Sequence, residues 1–204
     1  MTQRTILITG ATGLIGSHTI DAFQAAGWKI IIFSTQDHPH LDSSIVQCPW
    51  HPKKILSDQE HNTPQLLTQL DACDALINLS GYSVVKGRFG RAHRKKILES
   101  RVDSTSALVH LCKKAGKKPQ VWIQASATGY YGDTGEALID ESQAKGEGFL
   151  ADVCEKWEAC LEGLKDIPGT SRIIKTRIGL VLAPDAPAWR NLIFPIKWGL
   201  GGPL

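Results

Sequence analysis

One short segment near the start of the chain limits the fold more than any other. Residues Thr5–Thr9 form a continuously apolar, β-branched run, which is typical of a strand buried on both faces of a parallel sheet. Glycines follow at three-residue intervals, at Gly10, Gly13 and Gly16, and a helical stretch from about Leu14 to Ala26 begins among them. A strand that enters a helix through a glycine turn predicts the first part of a βαβ unit.

The spacing of these glycines predicts a site for the phosphates of a dinucleotide. Gly10 permits a tight turn, Gly13 lets the backbone approach a pyrophosphate without a Cβ between them, and Gly16 lets the helix pack closely on the strand. Free amides and the positive end of the helix then hold the phosphates. The predicted cofactor-binding residues here are Gly10, Thr12, Gly13, Leu14, Ile15 and Gly16. The alternative is a strand–helix turn that uses glycine only for packing.

The rest of the chain alternates strand-like and helix-like segments. We predict strands at Lys29–Phe33, Ser44–Gln47, Asp74–Leu79, Val121–Ala125 and Arg172–Thr176, and helices at Pro64–Leu70, Arg91–Ala115 and Gly148–Leu164. The remainder of 36–64 is expected to be irregular. This alternation predicts an α/β fold: a Rossmann-type doubly wound parallel sheet with helices on both faces. We expect residues 1–204 to form one NAD(P)-binding domain.

Composition excludes several function classes. The 23 Lys and Arg against 20 Asp and Glu give a net charge of +3, and the basic clusters at 91–96 and 113–118 fit solvated helix faces better than a nucleic-acid surface. No apolar run is long enough to cross a bilayer, and the N-terminus lacks a signal peptide, so we expect a cytoplasmic protein. Five scattered cysteines without a Cys-x-x-Cys pair predict reduced thiols and no metal site.

The end of the second predicted strand bears on the choice between NAD and NADP. An acidic residue at that position bonds the ribose 2′-hydroxyl of NAD, whereas a nearby Arg accommodates the 2′-phosphate of NADP. Here Ser34 and Thr35 stand at that position. The absence of a carboxylate favours NADP, while the absence of an Arg leaves NAD open. Lys53 or Lys54 either reaches the phosphate from the following loop or forms part of a solvated surface.

Further along the chain, several motifs occur in a recognisable order. They are Asn78-Leu79-Ser80-Gly81, Ser100-Arg101 with Thr105, the run from Ser126 to Glu136 that begins Ser-Ala-Thr-Gly-Tyr-Tyr-Gly, Lys156-Trp157-Glu158, Arg177-x-Gly179-x-Val181-Leu182, and Gly199-Leu200-Gly201-Gly202-Pro203. In this order they resemble the atypical short-chain dehydrogenase/reductase family described as epimerase family proteins, which are NAD-dependent epimerase/dehydratase-like. Members of this family continue past the last motif, so we expect the chain to lack most of their C-terminal substrate lobe.

The resemblance implies further cofactor contacts. Leu79, Ser80 and Gly81 follow the strand that ends at the cofactor, and Arg177 follows the last strand. Arg101 either bonds a phosphate of the cofactor or pairs with an acid on the surface of its helix. With Ser34 and Thr35, these residues complete the predicted cofactor-binding set.

Catalytic residues follow less directly from the sequence. Members of the wider group that transfer hydride use a Tyr and a Lys four residues later, together with a Ser at the end of the preceding strand. Ser126 fits that serine, but alignment through Glu158 puts Leu150 and Cys154 at the Tyr and Lys positions. The resemblance includes the loss of this pair. Tyr130 or Tyr131 either supplies the missing phenol or packs as a structural ring.

Two function hypotheses follow. The first is an NADP-dependent oxidoreductase or sugar-nucleotide epimerase that acts on a small hydroxyl or carbonyl substrate. The second is a non-catalytic dinucleotide-binding sensor or scaffold. We expect no nucleic-acid or membrane partner. Because the stretch 192–200 is strongly apolar, we also expect exposed apolar surface and self-association near the C-terminus.

Overall fold

The computed structural model describes residues 3–85, 90–165, 172–184, 186, 189, 193–194 and 196–198. Its strands are β1 (Thr5–Thr9), β2 (Lys29–Ser34), β3 (Val46–Pro49), β4 (Ala75–Asn78), β5 (Val121–Ala127) and β6 (Arg172–Ile178). Its helices are α1 (Leu14–Ala25), α2 (Pro52–Leu56), α3 (Thr63–Asp71), α4 (Arg91–Lys114) and α5 (Phe149–Ala159), with 3₁₀ segments at Thr128–Tyr131 and Cys160–Leu164.

The six strands form one parallel sheet in the order β3-β2-β1-β4-β5-β6. This order confirms the predicted Rossmann-type doubly wound fold. The strand order reverses between β1 and β4, where Thr9 pairs with Asn78. A doubly wound sheet opens a crevice at such a reversal, outside the carboxyl ends of its strands, and ligands bind there. The fold therefore places the glycine turn after β1 beside this crevice.

The sheet is buried on both faces because neighbouring residues of each strand point to opposite sides. Ile6 and Ile8 pack with Ile20 of α1 on one face. Leu7 and Trp122 pack on the other face with residues of α3 and α4. Because a strand of this kind needs apolar residues at every position, the continuous apolar run of β1 is what its central place requires.

Some predicted segments differ from the observed ones. Strand β3 begins two residues later than predicted, and helix α2 occupies Pro52–Leu56, inside the stretch expected to be irregular. This helix has five residues, too few to show a helical period in the sequence. The predicted helix over Gly148–Leu164 divides into α5 and a 3₁₀ segment after Ala159.

A chain of buried hydrogen bonds crosses the sheet at the strand reversal. The Asn78 amide oxygen accepts from the Thr9 hydroxyl at 2.6 Å, and its nitrogen donates to Thr105 Oγ1 at 2.9 Å and Gln124 Oε1 at 3.0 Å. Trp157 Nε1 also donates to Thr105 Oγ1, at 2.9 Å. A buried polar group is stable only when it is hydrogen-bonded. This series of hydrogen bonds therefore fixes how α4 and α5 pack against the sheet.

The structure also bears on membranes, metals and disulfides. Within the described residues, no helix combines the length and the apolarity needed to span a bilayer. In that part of the chain, no three His, Cys, Asp or Glu side chains gather closely enough to hold a metal ion. All five cysteines are free thiols, and four of them are buried.

Candidate functional site

The glycine turn after β1 uses its three glycines for different purposes. Gly10 has a φ of +68°, and a Cβ there would lie 2.6 Å from the backbone of Leu79. A Cβ on Gly16 would lie 2.6 Å from the backbone carbonyl of Ala11. Both positions are therefore closed by packing within the protein.

Gly13 is the open position of the turn. Its φ of −74° suits any residue, and the nearest atom to a Cβ built there is the Gly10 carbonyl oxygen at 3.4 Å. It is the N-cap of α1, and among the described residues no side chain caps that helix. The first amides of a helix have no partner within it. A phosphate bound at this end would therefore meet backbone donors and the positive end of the helix dipole.

A cavity of about 650 Å³ opens beside this turn. It extends from the glycine turn past the end of β2 and the start of α2 to the first half of α4. Six of the predicted cofactor-binding residues line it: Gly10, Thr12, Ser34, Thr35, Ser80 and Gly81. Four more, Gly13, Leu14, Ile15 and Gly16, follow Thr12 at the start of α1, and the backbone of Leu79 lies against Gly10. The cavity has the size of a nucleotide pocket, and Gly13 leaves room for a pyrophosphate at its edge, so these residues fit a dinucleotide.

Charged residues from α2 and α4 also line this cavity. Lys53 binds Glu99 at 2.9 Å and lies 3.7 Å from Asp103. These carboxylates raise the pKa of the Lys53 ammonium, chiefly through the hydrogen bond to Glu99. Of the two lysines weighed from the sequence, Lys53 therefore already has acidic partners within the protein.

Arg101 lies against Gly81, where a Cβ built on the glycine would be 3.1 Å from the guanidinium carbon. Its guanidinium donates to the carbonyl oxygens of Tyr82 at 2.9 Å and Ile97 at 3.0 Å, and it lies over the ring of Trp157 at 5.1 Å. Burial lowers the pKa of this guanidinium. In the described part of the chain, no carboxylate forms an ion pair with it, so the expected acid partner on the helix surface is absent there.

The predicted catalytic serine takes part in a buried ionic cluster. Ser126 donates its hydroxyl proton to Glu158 Oε1 at 2.6 Å, and Arg177 binds both oxygens of the same carboxylate at 3.0 and 3.1 Å. Burial alone would raise the pKa of the Glu158 carboxyl. The hydrogen bonds from Arg177 and Ser126 outweigh burial and hold that pKa below its usual value.

Both candidate tyrosines lie against the same arginine. Arg177 donates to the Tyr131 hydroxyl at 2.8 Å, and its guanidinium lies 3.6 Å from the centre of the Tyr130 ring. Tyr131 is buried, whereas Tyr130 is partly exposed. The structure thus brings Ser126, Tyr130, Tyr131 and Arg177 together at the ends of β5 and β6. It joins Arg177 to this group and not to the residues that line the cavity beside the glycine turn.

Leu150 and Cys154 lie on the first turns of α5, beside the end of β5. Leu150 Cβ would be 3.3 Å from a Cβ on Gly129, and the Cys154 thiol faces the carbonyl oxygen of Ala127 at 3.8 Å. Burial raises the pKa of the Cys154 thiol. These two positions therefore supply neither a phenol nor a fixed positive charge beside Ser126.

Several residues of the site had no functional assignment from the sequence. Glu158 had been used only as an alignment point, although it is the centre of the ionic cluster. His38 and Asp103 also line the cavity. The signal that identifies Glu158 is a carboxylate on the buried face of α5, one position after Trp157. Nothing in the sequence pattern singles out His38, which lies in an irregular loop.

Comparisons with known proteins show the family of this chain. The profile of the NAD dependent epimerase/dehydratase family matches residues 6–149. An epimerase family protein of Staphylococcus aureus is 31% identical over 199 residues, which cover 97% of this chain and 62% of that protein. The chain thus spans about 62% of the length of the curated relatives it matches.

Two solved structures of related sequence share the fold. The human epimerase family protein SDR39U1, solved with NADPH, has a TM-score of 0.76 at 26% identity, over 98% of this chain and 61% of the human one. A nucleoside-diphosphate sugar epimerase from Corynebacterium glutamicum has a TM-score of 0.72 at 27% identity, over 100% of this chain and 39% of the other. Since the family profile covers more than half of its residues, this chain belongs to the NAD dependent epimerase/dehydratase family.

Proposed function

We propose that this chain binds NADP(H) at the carboxyl edge of its sheet, as the dinucleotide-binding part of an oxidoreductase or epimerase. The observation that carries this proposal is Gly13, which is exposed, directly follows a residue that lines the cavity and caps the start of α1 without a side chain. Backbone amides at such a helix start are a ready site for a pyrophosphate. The family supports the same function, as does the related human structure, which was solved with NADPH.

The preference for NADP over NAD rests on the end of β2. Ser34 stands where a carboxylate would bond the 2′-hydroxyl of NAD, and a serine has no charge to repel a 2′-phosphate. Thr35 and Lys54 line the same end of the cavity and add polar and basic groups. This arrangement favours an anionic ligand group over a neutral hydroxyl.

The proposed chemistry places a proton donor at the ends of β5 and β6. A bound nicotinamide ring supplies hydride transfer, and the chain supplies the acid and base. Arg177 donates to the Tyr131 hydroxyl oxygen, so that the phenolic proton points to a different acceptor. In this proposal Tyr131 exchanges that proton with a substrate oxygen, and Tyr130 packs on Arg177. The substrate is a small hydroxyl or carbonyl compound; the nucleotide sugars are the first class to test, since one related structure is a nucleoside-diphosphate sugar epimerase.

A second candidate function, a non-catalytic sensor of the dinucleotide, is favoured by a different observation. Leu150 and Cys154 cannot act as a Tyr-Lys pair, and the Ser126 hydroxyl already donates to Glu158. A site with these groups could bind the dinucleotide without turning over a substrate.

Calorimetric titration of the chain with NADP⁺ and NAD⁺, followed by turnover assays on nucleotide sugars, tests both candidates. The enzyme proposal expects this chain to bind the dinucleotide and to turn over substrate once it is extended by the C-terminal lobe of a relative, with kcat of the extended chain lowered at least about 100-fold by Tyr131→Phe. Binding without turnover of any substrate by the extended chain supports the sensor. Failure to bind either dinucleotide contradicts both.

The cofactor preference has its own test at Ser34. We expect Ser34→Asp to reverse the preference, because a carboxylate there repels the 2′-phosphate and bonds the 2′-hydroxyl. The measurement is the ratio of the two dissociation constants in the wild type and the variant. If the wild-type chain binds NAD⁺ tenfold tighter than NADP⁺, a difference of about 1.4 kcal/mol, the proposed preference is wrong.

A further inference from the structure

The loop after β2 places a histidine against the serine that ends this strand. His38 Nε2 lies 2.8 Å from Ser34 Oγ, at hydrogen-bond distance. The Gln36 backbone N–H also donates to this hydroxyl oxygen, at 3.2 Å. His38 lines the same cavity as Ser34 and Thr12. The imidazole therefore stands at the place where the ribose 2′ position of a dinucleotide is expected.

Several contacts hold His38 in this position. The Gln47 side chain accepts from the His38 backbone N–H at 3.1 Å and donates to its carbonyl oxygen at 3.0 Å. Asp37 Oδ1 also accepts from the His38 N–H, at 3.0 Å. Because Gln47 belongs to β3, the position of His38 is fixed by the sheet and not by the loop alone.

The other charged groups at this end of the cavity leave a distinct role for His38. Lys53 is bound to Glu99 and lies near Asp103. Lys54 and His51 also line the cavity, from the start of α2. Of these charged or titratable side chains, however, His38 is the one at hydrogen-bond distance from the Ser34 hydroxyl.

The charge on His38 controls what Ser34 offers to a ligand. A neutral imidazole with its proton on Nδ1 accepts the Ser34 hydroxyl proton at Nε2. An imidazolium can only donate at Nε2, so the Ser34 hydroxyl proton becomes available to another acceptor. Protonation thus adds a positive charge and also turns a donor towards the ligand. Both changes favour a phosphate over a hydroxyl group.

We propose that His38 is the residue that selects the 2′-phosphate of NADP, acting together with Ser34. It takes the place of the arginine expected from other dinucleotide sites. Because an imidazolium at this position favours a phosphate more than a neutral ring does, we expect acidification to strengthen the preference for NADP. This inference rests on the proposed function only in requiring that the site bind a dinucleotide.

The test is a set of calorimetric titrations with NADP⁺ and NAD⁺ at about pH 6 and about pH 8. Three proteins are compared: the wild-type chain, His38→Gln and His40→Gln. Glutamine at position 38 keeps a polar partner for Ser34 but takes up no proton. His40 is the matched control, because it is exposed and contacts His38 without lining the cavity. The 2′-phosphate itself titrates near pH 6, and the His38→Gln measurements account for this.

The preference for NADP⁺ is measured as the dissociation constant of NAD⁺ divided by that of NADP⁺. We expect the wild-type preference, relative to that of His38→Gln, to be about tenfold higher at the lower pH. The His40→Gln variant should behave as the wild type does. Equal ratios in wild type and His38→Gln at both pH values would overturn the role of His38 while leaving dinucleotide binding intact. A wild-type chain that binds neither dinucleotide would instead contradict the proposed function.

Discussion

The three glycines of the turn after β1 separate packing from ligand binding. Gly10 and Gly16 are closed by the protein's own backbone, whereas a Cβ at Gly13 would have the Gly10 carbonyl oxygen at 3.4 Å as its nearest neighbour. A side chain at Gly16 must displace backbone, which costs about 1–3 kcal/mol or more. A Cβ at Gly13 would meet only the Gly10 carbonyl oxygen, at contact distance, and the backbone conformation there suits any residue. The same substitution therefore has different consequences at the two positions.

We expect Gly13→Val to abolish dinucleotide binding and to lower the free energy of unfolding by no more than about 1 kcal/mol, the cost of a poor N-cap residue. Its side chain would fill the position of the pyrophosphate. Gly16→Val, the matched control, should lower stability by at least about 2 kcal/mol. Calorimetry measures the affinity, and denaturant titration measures the stability. A soluble, folded Gly13→Val protein with wild-type affinity would rule out this mode of binding.

Single residues also show where sequence reasoning ends. The glycine spacing, Ser34 and Ser126 lie at or beside the ends of strands, so their positions follow from a strand–turn–helix pattern. His38 and Glu158 act through partners that sequence order does not reveal. The hydroxyl partner of Glu158 is 32 residues away, and His38 meets Ser34 only because the loop between them folds back on β3. Such contacts depend on tertiary packing and leave no periodic signal.

Among the secondary-structure elements, α5 is joined to the sheet by a buried ionic contact. Glu158 joins α5 to β5 through Ser126 and to β6 through Arg177, and Lys175 of β6 lies 3.4 Å from the same carboxylate. The side chain of Glu158 is only 6% exposed. Removing one charge of a buried pair is destabilising, because the other charge then stays away from water without a partner.

We expect Glu158→Gln to lower the free energy of unfolding by about 3 kcal/mol near neutral pH. The folded-state pKa of Glu158 lies below its unfolded value. Its contribution is therefore complete above about pH 4.3 and decreases as the pH falls through the folded-state pKa. Denaturant titrations at several pH values should show the wild-type advantage shrinking on acidification.

The exposed ion pair of Glu162 with Lys165, one turn further along the chain, provides the control. Glu162→Gln should change stability little at any pH, since solvent screens an exposed pair. A Glu158→Gln protein as stable as the wild type at neutral pH would show that the cluster does not hold α5 in place.

At this scale the sequence predicted most elements, and it predicted the residues at which they begin better than those at which they end. Strands β1 and β2 and helix α1 were predicted almost to the residue, because apolar runs and a terminal Gly27 mark them clearly. Helix α2 was missed because its five residues bury only Ile55 and show no period. Tertiary packing, not local propensity, decides such a short helix.

For the whole molecule, the most unusual surface lies in the part of the chain after β6. Leu180 and Leu182 are 70% and 54% exposed, and Phe194, Ile196 and Trp198 are each more than 60% exposed. Leu192 and Leu200, which shared the prediction of apolar surface, lie outside the described residues. Large apolar side chains in contact with water favour association.

We expect this chain to self-associate at micromolar concentrations through these side chains. Replacing Phe194 and Trp198 together by Ser should weaken the association at least about tenfold, because aromatic rings contribute most to such contacts. Sedimentation velocity over a range of concentrations measures this. Leu138→Ser, at a fully exposed leucine far from this region in sequence, is the control. A wild-type chain that stays monomeric throughout would contradict the prediction.

The strand order has a consequence for how this protein is made. β1 lies at the centre of the sheet, yet its partner β4 follows only after a separation of 69 residues. A ribosome that adds about 5–20 residues per second needs roughly 3–14 s to cover that distance. During this time the nascent chain can pair β1 only with β2, and the backbone of Leu79 has not yet covered Gly10. The edge of β1 that later pairs with β4 is therefore left without its partner strand during this interval.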